Sequence, residues 1–303
     1  MAKKPERNPK KEPFWKNMME EKKKVVKKRL EKTPLKKQPS ARPPRDKDPN
    51  AAKTNAAKAN VKSVKVNEPI RLNRFIAQAG ICSRREADDL IAKGHVKVNG
   101  KIATELGLKV DPAKDKIEYK GQLLKAQNFV YILLNKPKNM ITTTSDPQGR
   151  KTVIDAVEGA TTERVFPVGR LDRNTTGLIL LTNDGDLAKK LTHPSHRVRK
   201  IYYVTLDKPV LEEDMQRLLD GITLEDGEAK VDKIDYAMGQ ERNEVGVEIH
   251  SGKNRIVRRM FEAMGYKVEK LDRTALGSLT KKNLPRGNWR ILSESEVAYL
   301  RMM

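Results

Sequence analysis

Not one of the chain's eighteen glycines falls in its first 67 residues, which instead hold eight of the sixteen prolines. The same stretch carries 22 Lys and Arg against 7 Asp and Glu, so it contributes +15 of the formal net charge of +23. With Phe14 and Trp15 as its only aromatic residues, it cannot bury enough apolar surface to offset the entropy of ordering. A basic helix over 16–30 would end before Pro34, Pro39, Pro43, Pro44 and Pro49. We read 1–67 as a disordered polycationic tail. Its lysines and arginines suit a sequence-independent tether that releases counterions from phosphates, the alternative being a solubilising extension. Any fold must therefore be built from 68–303, which carries only +8.

Several classes of function drop out on composition. The longest apolar run, 129–134, is far short of the roughly 20 residues of a membrane-spanning helix, so no membrane partner is expected. No secretory apolar stretch follows the basic start, and the compartment read from this is the cytoplasm. Cys82 is the only cysteine, which forbids an intramolecular disulfide or a Cys-x-x-Cys metal site, and His95, His193, His196 and His250 form no His-x-x-x-His pair. No glycine-rich dinucleotide or triphosphate cradle occurs. We therefore expect no metal and no cofactor, and Cys82 is expected to be a buried packing residue.

From Pro69 the pattern changes. Leu72, Phe75, Ile76 and Ala79 fall at helical spacing up to Gly80. Ser83-Arg84-Arg85-Glu86 has the form of a capping box opening a second helix over 84–93. Val96 and Val98 then alternate with polar residues toward Asn99-Gly100, a dipeptide suited to a type I′ hairpin turn. Arg71, Arg74, Arg84, Arg85, Lys93 and Lys97 surround this unit. Arg84 and Arg85 lie in the first turn of a helix, where cations oppose the macrodipole and a phosphate ligand would relieve the conflict. The stretch RLNRFIAQAGICSRREADDLIAKGHVKVNG resembles an S4 RNA-binding domain, over about 69–116. Those six cations are accordingly expected on RNA.

The polar segment 117–128 reads as an interdomain linker, giving 68–127 as the small domain with its linker and 128–303 as a second globular domain. In the latter, apolar runs (VYILLNKP, RVFPVG, LILLTND, IYYVTL, EVGVEIHSG) and amphipathic ones (DLAKKL, LEEDMQRLLDGI, RIVRRMFEAMG) follow one another without regular helical crossovers. That order favours an α+β fold, with a largely antiparallel mixed sheet and flanking helices.

Within this region two apolar strands flank a loop in 166–177, where Asp172 stands between Arg170 and Arg173 and between Gly169 and Gly177. An Asp held ionised by neighbouring cations on a loop between rigid strands suits catalysis. It equally suits a turn-capping Asp in a surface hairpin. The residues alone leave both open.

The motif GRLD, continuing as RNTTGLILLTNDGDLAKKLTHPSHRVRKIYYVTL and later GKNRIVRRMFEAMG, resembles the catalytic domain of the RsuA-like RNA pseudouridine synthases over about 129–303. The LTHPSH and NLPRGNW segments resemble the branch that modifies large-subunit ribosomal RNA. The resemblance implies site-specific, cofactor-free isomerisation of uridine to pseudouridine in ribosomal RNA, with rRNA or a pre-ribosomal particle as partner and the chain acting as a monomer. It implies Asp172 as the catalytic aspartate, acting at the ribose of the target uridine. Tyr202 would stack on the flipped base, with Tyr203 pointing to the opposite face of its strand, and Arg258 would pair with the acid. Arg170 would fill the space of the extruded nucleotide. Lys136, Lys138, Arg255 and Arg259 are expected on RNA phosphates, with Arg255 sharing the Arg258 face if that segment is helical. The rival reading is a non-catalytic RNA-binding or ribosome-assembly protein that retains the synthase fold. A methyltransferase is disfavoured because its glycine-rich cofactor loop is missing.

Overall fold

The computed structural model describes residues 69–237 and 241–303. The tail expected over 1–67 lies outside the described residues. Among those described, no helix is long and apolar enough to cross a membrane.

The first region is built around two short helices, α1 (Leu72–Gln78) and α2 (Arg84–Ala92). Leu72, Phe75 and Ile76 of α1 and Ala87 and Ile91 of α2 form one side of a small core that Val96, Ala103, Val110 and Ile117 complete. The capping box is present: Ser83 Oγ accepts from the Glu86 amide, and Glu86 Oε2 accepts from the Ser83 amide at 2.7 Å. Strand β1 (Ile70–Arg71) pairs with β4 (Lys109–Val110), while β2 (Val96–Val98) lies between β3 (Lys101–Ala103) and β5 (Ile117–Tyr119), and β5 pairs with β6 (Gln122–Leu123). Asn99 and Gly100 both adopt positive φ, 52° and 80°, as a type I′ turn requires.

Two expectations need correction here. Residues 117–119 and 122–123 are paired strands rather than linker, because Ile117 closes the small core at 1% exposure. Cys82 is half-buried, not buried, and packs beside the core rather than inside it.

The second region is organised by one nine-stranded sheet. Its path runs β13 (Lys233–Tyr236), β14 (Glu244–Ile249), β10 (Lys200–Leu206), β15 (Val268–Leu276), β9 (Thr176–Thr182), β7 (Tyr131–Lys136), β17 (Trp289–Ile291), with β8 (Phe166–Pro167) on β9 and β16 (Leu279–Thr280) on β15. Only β15 and β9 pair in parallel; the rest are antiparallel. The fold is α+β, as expected.

Every residue of β7 and β9 is buried, the mark of strands covered on both faces. Alternation divides them between two cores. Ile132, Leu134, Ile179 and Leu181 face one core, and Tyr131, Leu133, Leu178 and Leu180 the other. The first core is closed by α4 (Glu212–Asp220) and α5 (Ile256–Ala263), the second by α3 (Gly185–Thr192) and the C-terminal α6 (Glu294–Met302). A small hairpin, β11 (Ile222–Leu224) with β12 (Gly227–Ala229), flanks α5.

Candidate active site

The loop between β8 and β9 is fixed at both ends before Asp172 is reached. Val168 N donates to Leu180 O at 2.7 Å, and Gly169 takes φ 74° to turn the chain. The Thr142 hydroxyl accepts from Leu171 N and donates to Leu171 O at 2.8 Å, while the Leu171 side chain is buried in the core. On the far side, Arg173 O accepts from Asn139 N at 2.9 Å and from Lys136 Nζ at 3.3 Å, and Thr175 N donates to Asp172 O at 3.1 Å. Asp172 is thus presented by a loop whose backbone is held from several sides, which is how a carboxylate acquires a single position.

Asp172 Oδ2 lies 3.8 Å from Arg258 Nε and 3.8 Å from Arg255 Nη1. These are ion-pair distances without the geometry of hydrogen bonds. Arg258 is buried on α5, its Nη1 donating to Val268 O at 2.7 Å. Burial and the neighbouring Arg255 lower its hold on its proton, while Asp172 opposes them. Arg255 is not in the helix. It sits at the N-cap with φ 46°, and its guanidinium bridges Asp172 and Glu262, the latter at 3.5 Å. Arg255, expected on phosphate, is exposed, and from its left-handed N-cap position it is also a second ion-pair partner of the acid. Arg259 turns away from the acid as expected, but Asp226 of the β11–β12 turn holds it at 2.9 Å, so it is not a free phosphate contact.

Asp172, Arg170, Arg255, Tyr202 and Thr175 line one cavity of about 150 Å³, walled by Val168, Leu171, Ile256, Val257, Leu271 and Leu276. Cavities of this size are known to hold one six-membered ring. Tyr202 is 9% exposed. Tyr203 points to the other face of β10, its hydroxyl donating to the Glu244 carboxylate. Arg170 is exposed at the rim of the cavity.

Lys136, expected at RNA phosphate, is fully buried at the end of β7. Its three ammonium protons go to the carbonyls of Pro137, Met140 and Arg173. Burial pushes it down to about 8, with Asp172 pulling the other way. It braces the backbone of the Asp172 loop and cannot reach RNA. Lys138, two residues on, is exposed.

In the first region Arg71, Arg84, Arg85, Lys93 and Lys97 are exposed. Arg74 is not free, because its guanidinium pairs with Asp186 of α3, joining the two regions. A hollow of about 540 Å³ between them is lined by Arg84, Arg164 and Lys189 among others.

Three lining cations were not foreseen from the sequence. Lys253 donates to the carbonyls of Asp226 and Glu228. Lys200 donates to the carbonyls of Val198 and His250. Arg273 is buried on β15. Lys200 stood in plain view beside Tyr202 in Lys200-Ile201-Tyr202, two residues apart and so on one face of a strand. For Arg273 no local signal existed.

The S4 domain family matches residues 70–117, and the family described as RNA pseudouridylate synthase matches residues 130–263. The chain is 42% identical over 236 residues to the ribosomal large subunit pseudouridine synthase B of Bacillus subtilis, covering 77% of this chain and 96% of that protein. An uncharacterized RNA pseudouridine synthase of Aquifex aeolicus is 42% identical over 233 residues, 76% of this chain and 93% of its own. The dual-specificity RNA pseudouridine synthase RluF of Escherichia coli is 40% identical over 231 residues, 75% of this chain and 77% of its own. Among solved structures, a crystal structure of a pseudouridylate synthase superposes with a TM-score of 0.55 at 31% identity, covering 76% of this chain and 99% of that one. With the acid loop, the paired arginines and the basic helical module in place, the chain belongs to the RsuA-like family of RNA pseudouridine synthases that carry an S4 domain.

Proposed function

We propose that this protein isomerises one defined uridine of large-subunit ribosomal RNA to pseudouridine, with Asp172 as the group that acts at the target ribose. The observation that carries the reading is the convergence of Asp172, Arg255 and Tyr202 on one cavity with room for one pyrimidine ring, with Arg258 paired to the acid from the buried side. Relatives named for the large ribosomal subunit support the choice of RNA.

Arg258 and Arg255 hold the Asp172 carboxylate in one orientation at the cavity wall. The Tyr202 ring, lining the cavity, offers a stacking face to a base taken out of its helix, and its hydroxyl is a polar group suited to assist loss of the C5 proton. Arg170 at the rim is placed to occupy the space the nucleotide vacates, offsetting part of an unstacking cost of about a few kcal/mol. The reaction balances without a co-substrate: the N1–C1′ bond breaks, the C5–C1′ bond forms, the C5 proton leaves to solvent and N1 takes one up. Arg71, Arg84, Arg85, Lys93 and Lys97 supply phosphate contacts that position the RNA. Since all four residues come from one chain, a single copy acting on rRNA or a pre-ribosomal particle in the cytoplasm suffices. Mapping pseudouridine along ribosomal RNA before and after removal of the gene tests this. One large-subunit position should revert to uridine, and an unchanged map would refute it.

A further inference from the structure

Arg273 is 3% exposed, yet it lines the same cavity as Asp172. It stands directly opposite Tyr202 across the β10–β15 pair, so the two side chains share one face of the sheet. Its position is set by a close approach on the other side. Gly177 of β9 lies so near β15 that a Cβ there would fall 2.3 Å from Arg273 O, and Arg273 Nε donates to Leu178 O at 2.7 Å. Among the described residues Nε is the only one of its three guanidinium nitrogens with an acceptor, and Nη2 is buried without one. A buried charged donor without an acceptor is costly, so this is a site built toward something that accepts.

A phosphate is a poor candidate for that acceptor. It would have to shed its water to reach a floor only 3% exposed, whereas Arg170 waits at the exposed rim. The second cation on the floor, Lys200, is already tied to two carbonyls. A neutral carbonyl on a planar ring stacked against Tyr202 meets the requirement at little desolvation cost. Since Asp172, about a third exposed, must meet the ribose, the buried floor faces the ring edge farthest from the sugar.

Resting on the reading of this cavity as the uridine site, we infer that Arg273 is the base-recognition residue, its guanidinium donating to O4 of the target uracil and rejecting cytosine, whose 4-amino group is itself a donor. The symmetry of the reaction supports this assignment. When the freed ring turns about its N3–C6 axis, N1 exchanges places with C5 and O2 with O4. A donor fixed at that point therefore meets a carbonyl both in uridine and in pseudouridine, giving up O4 as the ring turns and taking O2 when the turn is complete.

The test is binding of uridine, cytidine, 4-thiouridine and pseudouridine 5′-monophosphates to the full chain, by titration calorimetry or ligand-observed NMR. Wild type should bind the uridine and pseudouridine nucleotides alike and favour both over the cytidine and 4-thio nucleotides by about tenfold or more, the worth of one charged hydrogen bond. Arg273→Met should lose that preference and Arg273→Lys should keep part of it. Equal affinity of wild type for uridine and cytidine monophosphates would overturn the inference without recourse to any variant. So would a preference that survives in folded Arg273→Met. Tritium release from C5-labelled ribosomal RNA by wild type is measured alongside. Release together with equal nucleotide binding removes the role of Arg273 and leaves the isomerase standing. No release with the preference intact does the reverse.

Discussion

Two lysines, Lys136 buried and Lys200 half-buried, brace the site, and they give the fold an unusual response to pH. Lys136 and Lys200 are each held by backbone carbonyls, and burial pushes both down to about 8 from an ordinary 10.5. Below about pH 7 both are protonated in the folded and unfolded states alike, so they contribute no slope. Between about 8 and 10.5 the unfolded chain keeps protons that the folded chain has lost, and unfolding free energy then rises with pH. A full one-proton difference is worth about 1.4 kcal/mol per pH unit. With half of each lysine already deprotonated near pH 8, the step from pH 8 to 9 is worth about 1 kcal/mol per lysine, about 2 for the pair. The window closes above pH 9. There the Cys82 thiol, pushed up by burial, begins to oppose the rise, and Tyr203, pushed to about 12, follows above pH 10. Urea unfolding of the full chain followed by far-UV circular dichroism at pH 6, 7, 8 and 9 reads this directly. Stability should be flat from 6 to 7 and then climb, with Lys136→Met retaining about half the climb even if its absolute stability falls through three carbonyls left without a donor. A flat or falling profile from pH 8 to 9, or the same climb in the Lys136→Met, Lys200→Met double variant, would refute the reasoning.

Other perturbations have outcomes as definite. Gly177→Ala places a Cβ 2.3 Å from Arg273 O and 2.5 Å from Arg273 N, backbone atoms that cannot swing away, at φ 105°. It should cost about 3 kcal/mol or more in urea unfolding and lower isomerisation by displacing β15. Replacing Arg84 and Arg85 together with Ala, both exposed on α2, should weaken RNA binding and flatten its dependence on salt by about two phosphate contacts. Single-turnover rates at saturating RNA should stay unchanged.

How far this could be read from the sequence depends on the range over which each residue finds its partners. The capping box at Ser83 and Glu86 and the Asn99-Gly100 turn are local devices, and both stand where their spelling says. The apolar runs of β7, β9, β10 and β14 mark strands for the same reason. Strand β15 escaped notice because Glu269, Lys270, Asp272, Arg273 and Thr274 break its apolar pattern. Two of these are buried by distant partners: Asp272 takes Thr176 and Lys281, and Arg273 takes Leu178 O. Lys136 was misread in the same way. A lysine before a proline at a strand end looks solvated, and only the fold brings Arg173 O from 37 residues away to hold it. Arg74, Arg255 and Arg259 likewise look free until Asp186, Asp172 and Asp226 arrive. Asp172 itself was ambiguous as a residue between two turns. The family resemblance named it, and the fold then supplied the neighbours that give it a chemical meaning.

The most direct measurement is release of tritium from ribosomal RNA labelled at uridine C5, by the full chain and by Asp172→Asn. The substitution removes the carboxylate charge while keeping the size of the side chain on a loop fixed by Thr142, Asn139 and Lys136. Wild type should release tritium in proportion to one uridine per RNA, and Asp172→Asn should bind the RNA as tightly yet release none above background. Equal release by the two proteins would contradict the assignment of Asp172.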